Sequence, residues 1–576
     1  MKIKLSAAST LATTSRLAAL IGILTAWSPS TFAQQLPNRL PPAAEPGRDL
    51  RQPQPVQPLP EGSAIAVPQA PAAHPPPGAA GISFTLSKVT VEGATALSPR
   101  ELEPLYAPLI GRTVTVADVF AAAAAIENRY REKGYIITRV LVPEQQIEGG
   151  SVRLVVVEGY ISEIAFAQNA GASIGAARAQ VEALLAPLRD VKPVDIAAIE
   201  RRLLLANDLP GVQVRGTLQP STGTRGAATL VIAAQRDPVD VGLQVDNRNS
   251  PYTGEDEAIL RGSLNSFSSN AATVSLVAKS AFPYRREHFA QASYDQSVGS
   301  NGMTAGVTVF AARSRPGLNI QPLDVDSTVE SASASVAYPL IRSRRVKLKL
   351  DGTFDYTDLD TDVLDRPYTR DRLRVLRLGA TFDRSDGWNG VNAGRVVISQ
   401  GLDIFGASQP RGELLSRYEG RSDFTKIGVQ FSRLQTFTQN WSLLASAVGQ
   451  VTWDSLLASE QIGLGGPDFG RGYDISEVSG DKGVDGALEL RFRPSGVSPF
   501  WNATQFFAAY DLGKVWNVGI EYPQEESLAS AGLGVRVRLP GDLFASFEVA
   551  KPLTHGVASE GGDRPTRVFF SISTQL

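Results

Sequence analysis

From Pro238 to Leu576 helical periodicity largely disappears. Apolar and polar residues alternate there in short segments broken by Gly, Asn, Asp and Pro, the period of two that puts successive side chains on opposite faces of a strand. In VKLKLDGTFDY, Val346, Leu348, Leu350 and Phe354 share one face, and Lys347, Lys349, Asp351 and Thr353 share the other. In LGVRVRLP, Val535, Val537 and Leu539 stand opposite Arg536 and Arg538. Many such strands without helices to cover them fit an all-β transmembrane barrel, with lipid outside and a polar lumen inside. The same period also fits a large soluble β-sandwich or β-helix.

Upstream the period changes. FTLSKVTVEG, from Phe84, is strand-like, and Ser98, Pro99 and Glu101 form a capping box with proline at the first helical position, so a helix starts there. Thr115 and Asp118 repeat the device, and Gly134 ends that second helix. ITRVLVPEQQ and SVRLVVVEGYISEIAF follow as strands rich in β-branched residues. A weaker copy of this order comes next: helices in AARAQVEALLAPL and VDIAAIERRLLLAND, then strands in GVQVRGTL and AATLVIAAQ. Two α+β modules in tandem therefore precede the barrel, at 82–163 and 164–237, with the barrel at 238–576.

The N-terminus carries Lys2, Lys4 and Arg16, then the apolar run Leu17 to Trp27 and small residues ending at Ala33, which reads as a signal peptide over 1–33. That run is about half of the roughly 20 residues needed to span a bilayer, so it is not an anchor. Residues 34–81 are dense in Pro, Ala and Gln and read as an extended linker. With no later apolar run of spanning length, a membrane form of the mature chain has to be a barrel. The last strand agrees: Val568, Phe570, Ile572, Thr574 and Leu576 share a face at the end of the chain, the signal that outer-membrane assembly machinery reads, although Leu576 stands where an aromatic is usual.

Composition removes other classes. The net charge of −2 gives no electrostatic reason to expect nucleic acid as partner. Cysteine is absent and histidine is confined to His74, His288 and His555, which excludes a disulfide scaffold and disfavours a zinc site. No cofactor and no metal are expected. GASIG, Gly171 to Gly175, matches a nucleophile elbow with Ser173 as candidate nucleophile, but its plainer reading is a cap on the following helix. DLDTD, Asp358 to Asp362, starts like a calcium loop, yet Val363 and Thr369 occupy the positions that need glycine and glutamate, so an acidic surface loop is the reading.

Several longer strings resemble one family. GYIITRVLVPEQQIEGGSVRLVVVEGYI (Gly134 to Ile161) and IERRLLLANDLPGVQVRGTLQP (Ile199 to Pro220) are similar to the two periplasmic POTRA domains of outer-membrane transporters of two-partner secretion. EQIGLGGPDFGRGYDISEVSGDKGVDGALELRF (Glu460 to Phe492), FFAAYDLGKVW (Phe506 to Trp516) and VAKPL (Val549 to Leu553) resemble the family's lumenal loop and the strands after it.

The resemblance implies POTRA domains followed by a barrel of sixteen antiparallel strands, with a loop at about 462–482 folded into the lumen. It implies a non-enzymatic pore in the cell outer membrane, its POTRA domains in the periplasm, that passes an unfolded secreted exoprotein of haemolysin or haemagglutinin type to the surface. Its other partners are outer-membrane lipid and the assembly machinery. In the family the arginine matched by Arg471 pairs with the aspartate matched by Asp511. On physical grounds Gly470 and Gly472 let the backbone turn tightly around it, and Tyr473 can pack on the wall while keeping its hydroxyl wet.

A carboxylate can accept the arginine fork in two places. A surface-like pair of this kind is worth roughly 0–1 kcal/mol, whereas stranding one partner of a dry pair costs about 3–5 kcal/mol. A porous lumen places it in the lower part of that range. Family members often carry an N-terminal plug helix, for which 34–81 is too rich in proline. The alternatives are a related barrel that inserts other outer-membrane proteins, usually with more POTRA domains, a secreted serine hydrolase using Ser173, and a plain adhesin or porin, which needs no POTRA domains.

Overall fold

The computed structural model describes residues 40–45 and 75–575, except 169, 222–223, 285, 497 and 520–522. The expected signal peptide, most of the linker and Leu576 lie outside the described residues.

In the first module a three-stranded sheet, with Ser151–Val157 between Lys88–Glu92 and Arg139–Leu141, is covered by the helix Val116–Glu132. The helix buries Val119, Ala123, Ile126 and Tyr130, one stripe of a 3.6-residue period, in one cluster with Val152, Leu154 and Val156. Both capping boxes form, and Gly134 just beyond the second helix has φ +94°.

The second module repeats the plan. Asp195 caps the helix Ile196–Asn207 by accepting from the Ala198 N–H at 2.6 Å, and the helix buries Ile199, Leu203 and Ala206 with Val212, Val214 and Leu230. Tyr160–Phe166, grouped by its sequence with the first module, pairs in parallel with Ala227–Arg236 in the second module's sheet. The junction therefore precedes Tyr160 rather than following Glu163.

Sixteen antiparallel strands then close into one barrel. They are β1 (Val239–Asp246), β2 (Glu257–Leu264), β3 (Thr273–Ala281), β4 (Glu287–Val298), β5 (Met303–Ser314) and β6 (Asp326–Arg342). Next come β7 (Val346–Val363), β8 (Arg366–Ser385), β9 (Gly390–Gly401), β10 (Thr425–Thr436) and β11 (Trp441–Thr452). After the long loop follow β12 (Lys482–Phe492), β13 (Thr504–Trp516), β14 (Glu525–Leu539), β15 (Leu543–Pro552) and β16 (Arg567–Gln575). Closure is made by β16 on β1, with Ile572 opposite Val245.

The alternation read from the sequence sorts the two faces. Leu350, Val568 and Ile572 are exposed on the outer face, 41%, 51% and 47% accessible, which suits lipid and not water. Asp351 and Arg536 turn inward into ion pairs. DLDTD is not a loop: it belongs to β7, and Asp358, Asp360 and Asp362 pair across strands with Arg374, Arg372 and Arg370 of β8.

The second module grips the turns at one end of the barrel. Gln180 donates to the Gly299 carbonyl at 2.8 Å, Arg202 to the Ser300 carbonyl at 2.7 Å, and Arg342 to Asp208 at 2.8 Å. At the opposite mouth the turn Pro42–Ala44 is seated among Tyr252, Ile320, Leu323 and Val363, and Ser314 Oγ donates to the Ala44 carbonyl at 3.0 Å.

Candidate functional site

Between β11 and β12 the chain turns back into the barrel. Ile462–Leu464 pairs with Val478–Gly480 as a two-stranded hairpin, and LGGPDFGRGYD forms its tip. The tip folds tightly because its glycines leave room. Gly465 has φ +111°, and a Cβ there would stand 2.1 Å from the Asp474 carbonyl oxygen. A Cβ on Gly472 would lie 2.8 Å from the backbone of Lys551 and Pro552 on β15, so the tip rests directly on the wall.

Arg471 is brought to Asp511. Its backbone N–H and its Nε donate to the same Asp511 oxygen at 3.0 and 3.1 Å, and Ser530 Oγ donates to that oxygen at 3.0 Å. The guanidinium does not close a two-point fork on Asp511, as the sequence suggested. It splits instead, with Nη1 donating to Glu489 on β12 at 2.9 Å and Nε lying 3.8 Å from Glu548 on β15. Glu489 is shared, accepting also from Arg536 at 2.7 Å and Arg491 at 2.7 Å. Arg248 completes the group by pairing with Glu548. Alternating cations and carboxylates from β12, β13, β14 and β15 thus converge on one loop arginine.

The site is dry. Arg471 is 5% and Asp511 0% exposed, so the pair belongs with buried ion pairs, where stranding one partner costs about 3–5 kcal/mol. The expectation of a wet, weak pair is corrected by the burial of both partners and by Phe469, Tyr473, Val478, Val515 and Leu528, which pack into one apolar cluster around the tip. Tyr473 is corrected in the same way. Its hydroxyl is buried, donating to the Ala529 carbonyl at 2.9 Å and accepting from the His555 N–H at 3.0 Å. Gly470, with φ +75°, lies beside Leu528.

Two further ties were not found in the sequence. At the base of the loop Arg417 donates to Asp481 at 2.5 and 3.1 Å, and Asp481 also accepts from the N–H groups of Leu456 and Val518. On the limb before the hairpin Glu460 pairs with Arg377 at 2.7 Å and Lys426 at 2.8 Å. Glu460 and Asp481 lie inside the string singled out above, but their partners are 83 and 64 residues away, so spacing carries no signal for the pairings.

Ser173 has no place in this site. Its hydroxyl lies 2.9 and 2.7 Å from the carbonyl oxygens of Ala170 and Ala234, a backbone tie in place of the expected helix cap.

A closed barrel of sixteen antiparallel strands with a loop pinned inside it, preceded by two α+β modules, is the architecture of an outer-membrane transporter. Residues 84–159 match the ShlB-type POTRA domain and residues 226–537, more than half of the chain, match the haemolysin secretion/activation proteins ShlB/FhaC/HecB. The protein belongs to that family of two-partner secretion transporters. It is 24% identical to the heme/hemopexin transporter protein HuxB of Haemophilus influenzae, over 83% of this chain and 85% of the relative. It is also 24% identical to the outer membrane transporter CdiB of Dickeya dadantii, over 79% and 81%. The solved structure of CdiB from Escherichia coli superposes with a TM-score of 0.69 at 21% identity, over 87% of this chain and 92% of that one.

Proposed function

We propose that this transporter captures an unfolded exoprotein of haemolysin or haemagglutinin type with its POTRA modules and passes it through the lumen to the cell surface. The lumenal loop, held by Arg471, sets the width of the path. The outer edges of the module sheets, such as Lys88–Glu92, offer backbone groups to which an extended segment can add as a further strand. Folding outside the cell gives the movement its direction. The reading asks for no catalysis and no cofactor, and the assembly machinery and lipid enter only in building the barrel.

The observation that carries this reading is the position of Arg471: a buried arginine that reaches three different wall strands from one loop tip is costly to keep unless the loop's position matters. The test is charge reversal. Arg471→Glu and Asp511→Arg should each impair secretion of the exoprotein encoded beside this gene, at equal protein level. The exchanged double variant should restore it in part, because the new glutamate would face Glu489. Normal export by both single variants would remove the loop from the mechanism.

A further inference from the structure

The lumen has two unlike sides. On one, from β12 to β15, the loop tip, its ion cluster and its apolar cluster fill the space. The other side carries a row of short hydroxyl side chains, bordered on the same inner face by the apolar cluster of Phe289, Phe310, Ala312 and Val329. Register places Ser263 opposite Ser275, Ser275 opposite Ser293, Ser293 opposite Thr308, and Thr308 opposite Ser333, an unbroken cross-strand row over β2 to β6. Beside it Ser331 pairs with Thr357, 2.9 Å apart. Between this wall and the loop limb Ser459–Ile462 lies a cavity of about 480 Å³. The charged residues bordering it are already neutralised, Arg377 by Asp355 at 2.6 Å and Arg395 by Asp351 at 2.7 Å.

Resting on the transport reading above, we propose that the exoprotein travels as an extended chain along this hydroxyl wall of β3 to β6, while the loop tip stays anchored on β12 to β15. Hydroxyls donate and accept, so they can exchange hydrogen bonds with a passing backbone. A hydroxyl presents neither a large apolar face nor a net charge, which keeps its contacts weak, and the stacked pair of Phe289 and Phe310 adds an apolar contact beside the row. A conduit needs weak, multiple sites if its cargo is to leave. The mouth above this wall already holds a peptide, seated on Tyr252, Ile320, Leu323 and Val363 and tied through its backbone by one hydroxyl. Ser314, on the inner face of β5 three alternations above Thr308, donates to the carbonyl of Ala44, and the segment ending there runs Leu-Pro-Pro-Ala-Ala. The occupant so defined is an unfolded polypeptide recognised by its backbone.

The chain has no cysteine, so the route can be mapped one position at a time. Thr308→Cys, Ser331→Cys and Ser333→Cys sample the wall, and Ser546→Cys samples the lumen on β15. Each full-length variant is placed in cells with the exoprotein encoded beside this gene, stalled in transit by a fused, disulfide-closed domain and carrying one cysteine in the stalled segment. Heat-modifiable migration identifies the folded barrels.

The expected result is cross-linking several-fold stronger at the three wall positions than at position 546, with the wall thiols protected from a small labelling reagent while the exoprotein is stalled. Secretion with cross-linking mainly at 546, or evenly at all four, overturns the route but leaves the transport reading standing. The same holds if wall labelling is unchanged by a stalled exoprotein, which would leave the wall to water. Absence of secretion from the cysteine-free parent overturns both.

Discussion

Arg471 sends its backbone N–H and its Nε to a single oxygen of Asp511, at 3.0 and 3.1 Å. One carboxylate on β13 therefore fixes both the path of the loop tip and the direction of the side chain that leaves it. The pair acts as a position marker, because each contact is lost if the tip slides by one residue.

Replacing Asp511 with Asn keeps the shape and removes the charge. Arg471 would then rely on Glu489 and Glu548, both already shared with Arg536 and Arg248. Breaking a buried pair costs about 3–5 kcal/mol, but the strand ladders on both sides of Asp511 are untouched. The expected outcome is a barrel that still shows heat-modifiable migration but has a released loop, seen as higher resting conductance in planar bilayers and reduced secretion. Glu489→Gln in the same background should add less than it does alone, because the two acids serve one arginine.

Gly472→Ala tests the close approach of the tip to the wall. The new methyl would stand 2.8 Å from the backbone of Lys551 and Pro552, which cannot move without disturbing β15. Overpacking of this kind costs about 1–3 kcal/mol, so the tip should lift and secretion fall. Gly428→Ala on β10 is the matched control, since a Cβ there meets nothing within 4 Å. Equal secretion by both variants would show that the tip does not need its contact with β15.

Particular residues show what could be read before the fold was known. The alternation of Leu350 with Asp351 was legible because one face of a barrel strand meets lipid and the other the lumen. The capping boxes at Ser98 and Thr115 were legible because they are written within four residues. Glu489, Glu548 and Arg536 were missed because their nearness to Arg471 depends on barrel register, which ties together residues on separate strands. The dryness of the tip was missed for a related reason, as Phe469, Leu528 and Val515 meet only after the loop has folded inward. Asp358 to Asp362 failed differently: acidic density suggested a loop, while the arginines that make it a strand lie on the following strand, across a two-residue turn.

The base of the loop gives a prediction separable from the tip. Asp481 is fully buried and holds Arg417 together with the N–H groups of Leu456 and Val518, so it joins three outer segments. Asp481→Ala removes the carboxylate that receives both guanidinium donors of Arg417, which is 4% exposed. The loop 402–424 should then become open to protease added to intact cells, whereas Asp511→Asn leaves it resistant. Identical digestion patterns would count against separate anchors at base and tip.

The first module carries a pH dependence of its own. Although burial pushes the Glu158 carboxyl up, hydrogen bonds from the Ala96 and Thr95 N–H groups and hydroxyls of Thr95 and Tyr130 outweigh it and hold the group below the usual carboxylate range. A carboxyl depressed in the folded state binds its proton more readily once unfolded, so stability is present above the unfolded value of about 4.3 and is lost as pH falls through the folded value. The contribution is therefore intact at neutral pH and begins to fall near that unfolded value. Protease susceptibility of the periplasmic modules, followed from pH 7 downward in the intact transporter, should rise in the acid range. Glu158→Gln should be more susceptible at neutral pH and should flatten that rise, because glutamine cannot offer the charged oxygens that Thr95, Ala96 and Tyr130 hold. A slope unchanged by the substitution would assign the acid sensitivity to other carboxylates.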